Sequence, residues 1–94
     1  MEIGSEKSIL LAKYAKALGH PARIEIIKIL VEQKVADFQD FENAIPLSQS
    51  TISQHLKELK QAGFIVSVQK GLFTKYLLDD QVCKKAEKLF KKLF

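Results

Sequence analysis

The sequence predicts a mainly α fold carrying one β-hairpin, and three observations lead there. Ahead of Gly63 lie four stretches whose apolar residues recur at helical spacing. After Gly63 comes a run rich in β-branched and aromatic residues centred on a second glycine, and the chain then closes on a strongly amphipathic stretch. With 94 residues and 47% hydrophobic content, the chain suits one folded domain spanning positions 1–94.

The elements follow in order. Ser5 is a fitting N-cap for a first helix with Ile9, Leu10, Leu11, Ala12, Tyr14, Ala15, Ala17 and Leu18, stopped by Gly19. Its apolar face is wider than a small core needs, so either simple burial or a surface shared with a second subunit accounts for it. His20-Pro21 restarts the chain, because proline fits the first helical position, and Ile24, Ile27, Leu30 and Val31 continue a second helix over about Pro21–Gln33. Asp37 caps a short third helix with Phe38, Phe41 and Ala44 inward, and Pro46 breaks it at Ile45-Pro46-Leu47. Ser48 caps a fourth helix whose Ile52, Leu56 and Leu59 fall at i, i+4 and i+7, ending at Ala62-Gly63. Phe64–Val68 and Phe73–Leu78 then read as a hairpin around Gln69-Lys70-Gly71-Leu72. Asp79 or Asp80 caps a last helix with Val82, Ala86, Leu89, Phe90 and Leu93 on one side and Lys84, Lys85, Lys88, Lys91 and Lys92 on the other. The order α-α-α-α-β-β-α, with two short helices joined by a tight turn and then a hairpin, is that of a winged helix-turn-helix.

Charge and cysteine content narrow the function classes. The formal net charge of +4 favours an anionic partner. It is unevenly spread: Glu32–Leu47 carries Glu32, Asp37, Asp40 and Glu42 against Lys34, whereas Ser48–Leu78 carries Lys57, Lys60, Lys70 and Lys75 against Glu58. The lone Cys83 excludes an internal disulfide and fits a reducing cytoplasm. The opening Met1-Glu2-Ile3-Gly4-Ser5-Glu6-Lys7 lacks the pattern of a secretory leader, and no stretch approaches the roughly 18 apolar residues of a membrane span.

The fourth helix carries the functional expectation. With Ile52, Leu56 and Leu59 inward, Ser50, Ser53, Gln54, Lys57 and Gln61 point out, flanked by Gln49, Thr51 and His55. Hydroxyl and amide groups of this kind hydrogen-bond base edges or phosphates, and the N-terminus of the helix, starting at Ser48, presents free N–H groups to phosphate. An ordinary solvated face is the alternative, and the clustering of positive charge weighs against it. In the wing, Lys70 and Lys75 flank a turn whose Gly71 permits close approach to a phosphate or the minor groove. His55 borders the core stripe, so either packing or DNA contact suits it; Arg23 suits either a phosphate or an ion pair.

Four runs carry a family resemblance. Ala17-Leu18-Gly19-His20-Pro21-Ala22-Arg23-Ile24 resembles the start of helix 2 in ArsR/SmtB-type repressors, and Ser48-Gln49-Ser50-Thr51-Ile52-Ser53-Gln54-His55-Leu56-Lys57-Glu58-Leu59 resembles their recognition helix. Gln61-Ala62-Gly63-Phe64-Ile65-Val66 and Gly71–Tyr76 resemble the entry to the family's wing and the wing itself, so the likeness covers about residues 9–90. It implies a homodimer formed through the first and last helices, binding duplex DNA at a roughly palindromic operator and repressing transcription, with Gln49, Ser50, Ser53, Gln54 and His55 at DNA-reading positions. Leu10, Leu11 and Tyr14 with Val82, Ala86, Leu89, Phe90 and Leu93 are then the expected dimer interface.

The family's metal-sensing arrangements are missing. The third helix has no cysteine and the last no histidine, and a lone Cys83 cannot assemble the about four ligands zinc wants, so no metal or other cofactor is expected. Asp37, Asp40 and Glu42 suit the N-terminal region of a helix better than a hard-cation site. No nucleophile elbow, phosphate-binding glycine loop or ligand cluster supports an enzyme. Two alternatives stay open: a winged helix used as a protein-interaction module, and a redox-responsive repressor acting through Cys83. No effector can be read from the sequence.

Overall fold

The computed structural model describes residues 4–94. Of the opening stretch read for a leader, Met1, Glu2 and Ile3 lie outside the described residues. The elements are α1 (Glu6–Ala17), α2 (Pro21–Gln33), α3 (Phe38–Ala44), α4 (Gln49–Gln61), β1 (Ile65–Lys70), β2 (Phe73–Leu78) and α5 (Asp80–Leu93), in the expected order.

Local chemistry sets most boundaries. Ser5 Oγ accepts from the Ser8 N–H at the start of α1. At α2 the capping group is His20, whose Nδ1 accepts from the Ala22 N–H at 3.0 Å ahead of Pro21. Asp37 and Asp40 form a reciprocal capping box at α3: Asp40 N–H donates to Asp37 Oδ1 at 3.0 Å and Asp37 N–H to Asp40 Oδ2 at 2.9 Å. The end of α4 is a Schellman turn in which Gly63, at φ +91°, lets its own N–H reach Lys60 O and the Phe64 N–H reach Leu59 O, each at 3.0 Å.

The strands pair antiparallel from Ile65↔Leu78 to Lys70↔Phe73. The connection is therefore tighter than the sequence suggested, with only Gly71 and Leu72 between the strands. Gly71 has φ +60° and Leu72 does not, the pattern of a type II′ turn with glycine at its first central position. A third strand-like segment joins the base of the wing, where Ala36 and Tyr76 exchange backbone hydrogen bonds of 3.1 and 2.8 Å.

Phe41, Ile26, Leu30, Ile52, Leu59 and Ile65 form the fully buried centre, flanked by a Phe41–Tyr76 edge contact at 5.6 Å and a Tyr14–Phe64 contact at 5.1 Å. The structure fixes the inward face of α2 and corrects two expectations. In α2 the inward stripe is Ala22, Ile26 and Leu30, whereas Ile24 and Val31 are exposed. That helix has aliphatic residues on nearly every face, so periodicity alone cannot choose among them. In α3, Ala44 is exposed and the adjacent Ile45 is buried instead. Tyr14 and Ala86, expected at a surface shared with a second copy, are buried within the protomer's own core at 4% and 3% exposure. Helices α1 and α5 pack on one another, and Leu10, Leu11, Val82, Leu89 and Phe90 stay half-buried there while Leu93 is exposed.

Candidate nucleic-acid interface

Helices α3 and α4 are joined through Ile45-Pro46-Leu47, a tight turn closed by the Leu47 N–H on Ile45 O at 2.8 Å. Ile52, His55, Leu56 and Leu59 bury one side of α4 against α2, α3 and β1. The opposite side is left to solvent, and Gln49, Ser50, Thr51, Ser53, Gln54 and Lys57 are all exposed on it. Ser48 Oγ serves as the cap, accepting from the Thr51 N–H at 3.3 Å, and lies 3.2 Å from Ser50 Oγ and 2.9 Å from Thr51 Oγ1. This makes a small hydroxyl cluster at the positive end of the helix dipole. Gln49 donates to Glu42 of α3 and Gln54 to Glu58 one turn on, so both amides are oriented before any ligand arrives.

The cations are unequal. Lys57 and Lys70 are exposed and make no ion pair among the described residues. Lys75, expected to face phosphate, is half-buried and lies 3.8 Å from Asp37 Oδ2. The Asp40 backbone N–H holds the Asp37 carboxyl below its ordinary value against the opposing desolvation, and the Lys75 ammonium adds to the lowering. Lys60, absent from the expected site, donates to Ser67 Oγ at 2.6 Å and bridges α4 to the wing. Its charge was visible in the sequence, but its position over the wing was not.

His55, expected among the reading positions, is a correction. It is 8% exposed, its Nδ1 accepts from Arg23 Nε at 3.0 Å, and its ring lies 4.3 Å from that of His20. Burial pushes its pKa down, and the neighbouring His20 and Arg23 charges add to this. Among the described residues Arg23 pairs with no carboxylate: it holds His55 and the Lys16 and Ala17 carbonyls, the latter two at 3.3 Å. Cys83 is half-buried, and burial with Asp80 and Asp79 raises its pKa, which disfavours the reactive thiolate. Among the described residues, no three His, Cys, Asp or Glu side chains gather as a metal site would require.

A helix-turn-helix with an exposed polar second helix, followed by a wing, defines a winged-helix DNA-binding regulator. The chain belongs to the ArsR family of bacterial regulatory proteins, whose model matches residues 20–67. It is 35% identical over 78 residues to an uncharacterized HTH-type transcriptional regulator of Methanocaldococcus jannaschii, covering 82% of this chain and 88% of that one. Over 78 residues it is 36% identical to the arsenical resistance operon repressor of Bacillus subtilis, covering 80% and 74% of the two chains. The crystal structure of a possible transcriptional regulator for arsenical resistance superposes with a TM-score of 0.75 at 28% identity, over 83% of this chain and 80% of that one. No described helix is long and apolar enough to cross a membrane.

Proposed function

We propose that the protein is a homodimeric cytoplasmic repressor, with no catalytic role, that places one α4 helix from each protomer in successive major grooves of an inverted-repeat operator. The observation carrying this reading is the outward face of α4, hydroxyls, amides and Lys57 without a carboxylate until Glu58, together with the exposed Lys70 of the wing. Ser48, Gln49, Ser50, Thr51, Ser53, Gln54 and Lys57 are the DNA-contacting residues, with Lys60 and Lys70 on flanking phosphates. Lys75 serves as a weaker contact, because Asp37 offsets it. Half-sites about one helical turn apart, roughly 34 Å, require a dimer of fixed geometry.

Residues 1–94 act as one domain, and Leu10, Leu11, Val82, Leu89, Phe90 and Leu93 of the packed α1 and α5 helices form the shared apolar surface. Repression is carried over from the relative in Bacillus subtilis; sensing of arsenicals is not, since a lone Cys83 cannot supply the clustered thiolates a thiophilic metalloid needs. The raised pKa of Cys83 also argues against the redox-responsive reading.

The test is selection of bound sites from random duplex DNA at two salt concentrations, with the protein's mass in solution measured alongside. An enriched inverted repeat, bound by a dimer with steep salt dependence, is the expected result. Weak, unselective binding by a folded dimer would transfer the reading to a protein-interaction module, for which the exposed Leu72 and Phe73 of the wing, at 95% and 66%, are the available anchors.

A further inference from the structure

Arg23 stands between two functional parts of the molecule without belonging to either. Its NH1 donates to the Lys16 and Ala17 carbonyls at the C-terminal end of α1, the negative end of that helix's dipole. Its Nε donates to Nδ1 of His55, on the buried side of α4. The His55 ring in turn lies against that of His20, tilted by 38°, and the His20 Nδ1 is occupied in capping α2. Three helices thus meet at one guanidinium, and among the described residues no carboxylate takes part.

Apart from two bonds at exposed side chains, Gln49 to Glu42 of α3 and Lys60 to Ser67 of β1, the other contacts of α4 with its neighbours are made by Ile52, Leu56 and Leu59, and apolar burial is non-directional. It holds the helix down but resists rotation about the helix axis only weakly. Side-chain tips stand about 5–6 Å from that axis, so a rotation of about 10° displaces Gln54 or Ser50 by about 1 Å. A base-edge hydrogen bond tolerates only a few tenths of an ångström of that. Unlike those two exposed bonds, the bond from the planar Arg23 donor to the buried His55 ring is shielded from water, and it is what fixes the angle.

We propose that Arg23 is a positioning residue for DNA recognition: anchored on the end of α1, it sets the rotation of the reading helix through His55. This rests on the reading of α4 given above and adds to it a rigid link from the proposed dimer helix to the reading face.

The experiment compares Arg23→Met, His55→Leu and His55→Asn with wild type. Asparagine keeps an acceptor near the place of Nδ1; leucine removes it. Affinities are measured for the selected duplex and for a random duplex across a salt series, with urea midpoints recorded in parallel. Arg23→Met and His55→Leu should each lower the preference for the selected duplex about tenfold, while random-duplex affinity and the salt slope stay at wild-type values. His55→Asn should recover most of the preference, and the Arg23→Met/His55→Leu double variant should lose no more than either single one. A merely structural role reduces the active fraction for both duplexes alike and leaves their ratio untouched, which would overturn the inference. A salt slope smaller by about 0.9 per site in Arg23→Met would also overturn it, by making Arg23 a phosphate contact.

A second arm needs no DNA. Imidazole nitrogen shifts of the wild-type protein should show His55 protonated at Nε2 with Nδ1 accepting, and the opposite tautomer would remove the link. A wild type without preference for any duplex overturns the regulator reading and this inference with it. Preference retained in both Arg23→Met and His55→Leu overturns this inference alone.

Discussion

Replacing Lys70 with glutamine should flatten the salt dependence of DNA binding, and doing the same to Lys75 should do so much less. Lys70 lies at the last position of β1, paired with Phe73 across the turn, exposed and without an ion pair among the described residues. Lys75 lies 3.8 Å from Asp37, with side-chain exposures of 37% and 38%, so a phosphate must compete with a carboxylate already in place. Each phosphate neutralised on duplex DNA contributes about −0.9 to the slope of log K against log salt, so the two wing tips of a dimer account for about −1.8. Between about 50 and 200 mM salt, Lys70→Gln should therefore lose about twelvefold less affinity than wild type, a gap easily resolved by fluorescence anisotropy on a labelled duplex. For Lys75→Gln the change in slope should be less than half as large. An unchanged slope in Lys70→Gln, or an equal change in both variants, would refute the reasoning that the wing tip touches phosphate and that Asp37 offsets Lys75.

Leu93→Lys places a charge on an exposed residue of the proposed interface, so the variant should keep its helical circular dichroism while sedimenting as a monomer; an intact dimer would put the interface elsewhere. His55 has its pKa depressed in the folded state, so the unfolded chain takes up a proton first as pH falls. Its contribution is fully present above about pH 6.5 and is lost as pH drops through the lower folded value, so urea midpoints should decline across that window in wild type and less in His55→Asn. Parallel declines in the two proteins would show that another group governs the window. The Cys83 thiol should react with a disulfide reagent more slowly at pH 7.5 than a free cysteine does, and Cys83→Ser should leave operator affinity unchanged. A fast thiol together with oxidation-dependent binding would restore the redox reading.

The fold was legible because its signals are local. Ser5, Asp37, Ser48 and Asp79 cap the helices the sequence assigns to them, and Gly63 and Gly71 stand where positive φ is required. The short α4 stripe of Ile52, Leu56 and Leu59 marks the inward face, and with it the free face, except at the bordering His55. In α2, where aliphatic residues surround the helix, helical spacing points to Ile24, Ile27, Leu30 and Val31 without choosing a face, and the folded chain buries Ile26 and leaves Ile24 and Val31 exposed. The site shows the same division. Gln54 and Lys57 were readable from helical periodicity, whereas the pairing of Lys75 with Asp37 and of Lys60 with Ser67 joins residues that only the folded wing brings together.

The sequence by itself determined the element order, the helix-turn-helix and its wing, the polar face of α4 and the family, because caps, turns and periodicity act over a few residues. The tertiary structure decided what became of the residues that face two ways. Tyr14 and Ala86 went to the protomer's own core. His55 left the reading face for the interior, and Arg23 took two carbonyls and an imidazole in place of a phosphate or a carboxylate. Partners separated by 32 positions, as Arg23 and His55 are, leave no trace in spacing, since a hydrogen bond depends on distance and angle in the folded chain and not on separation along it.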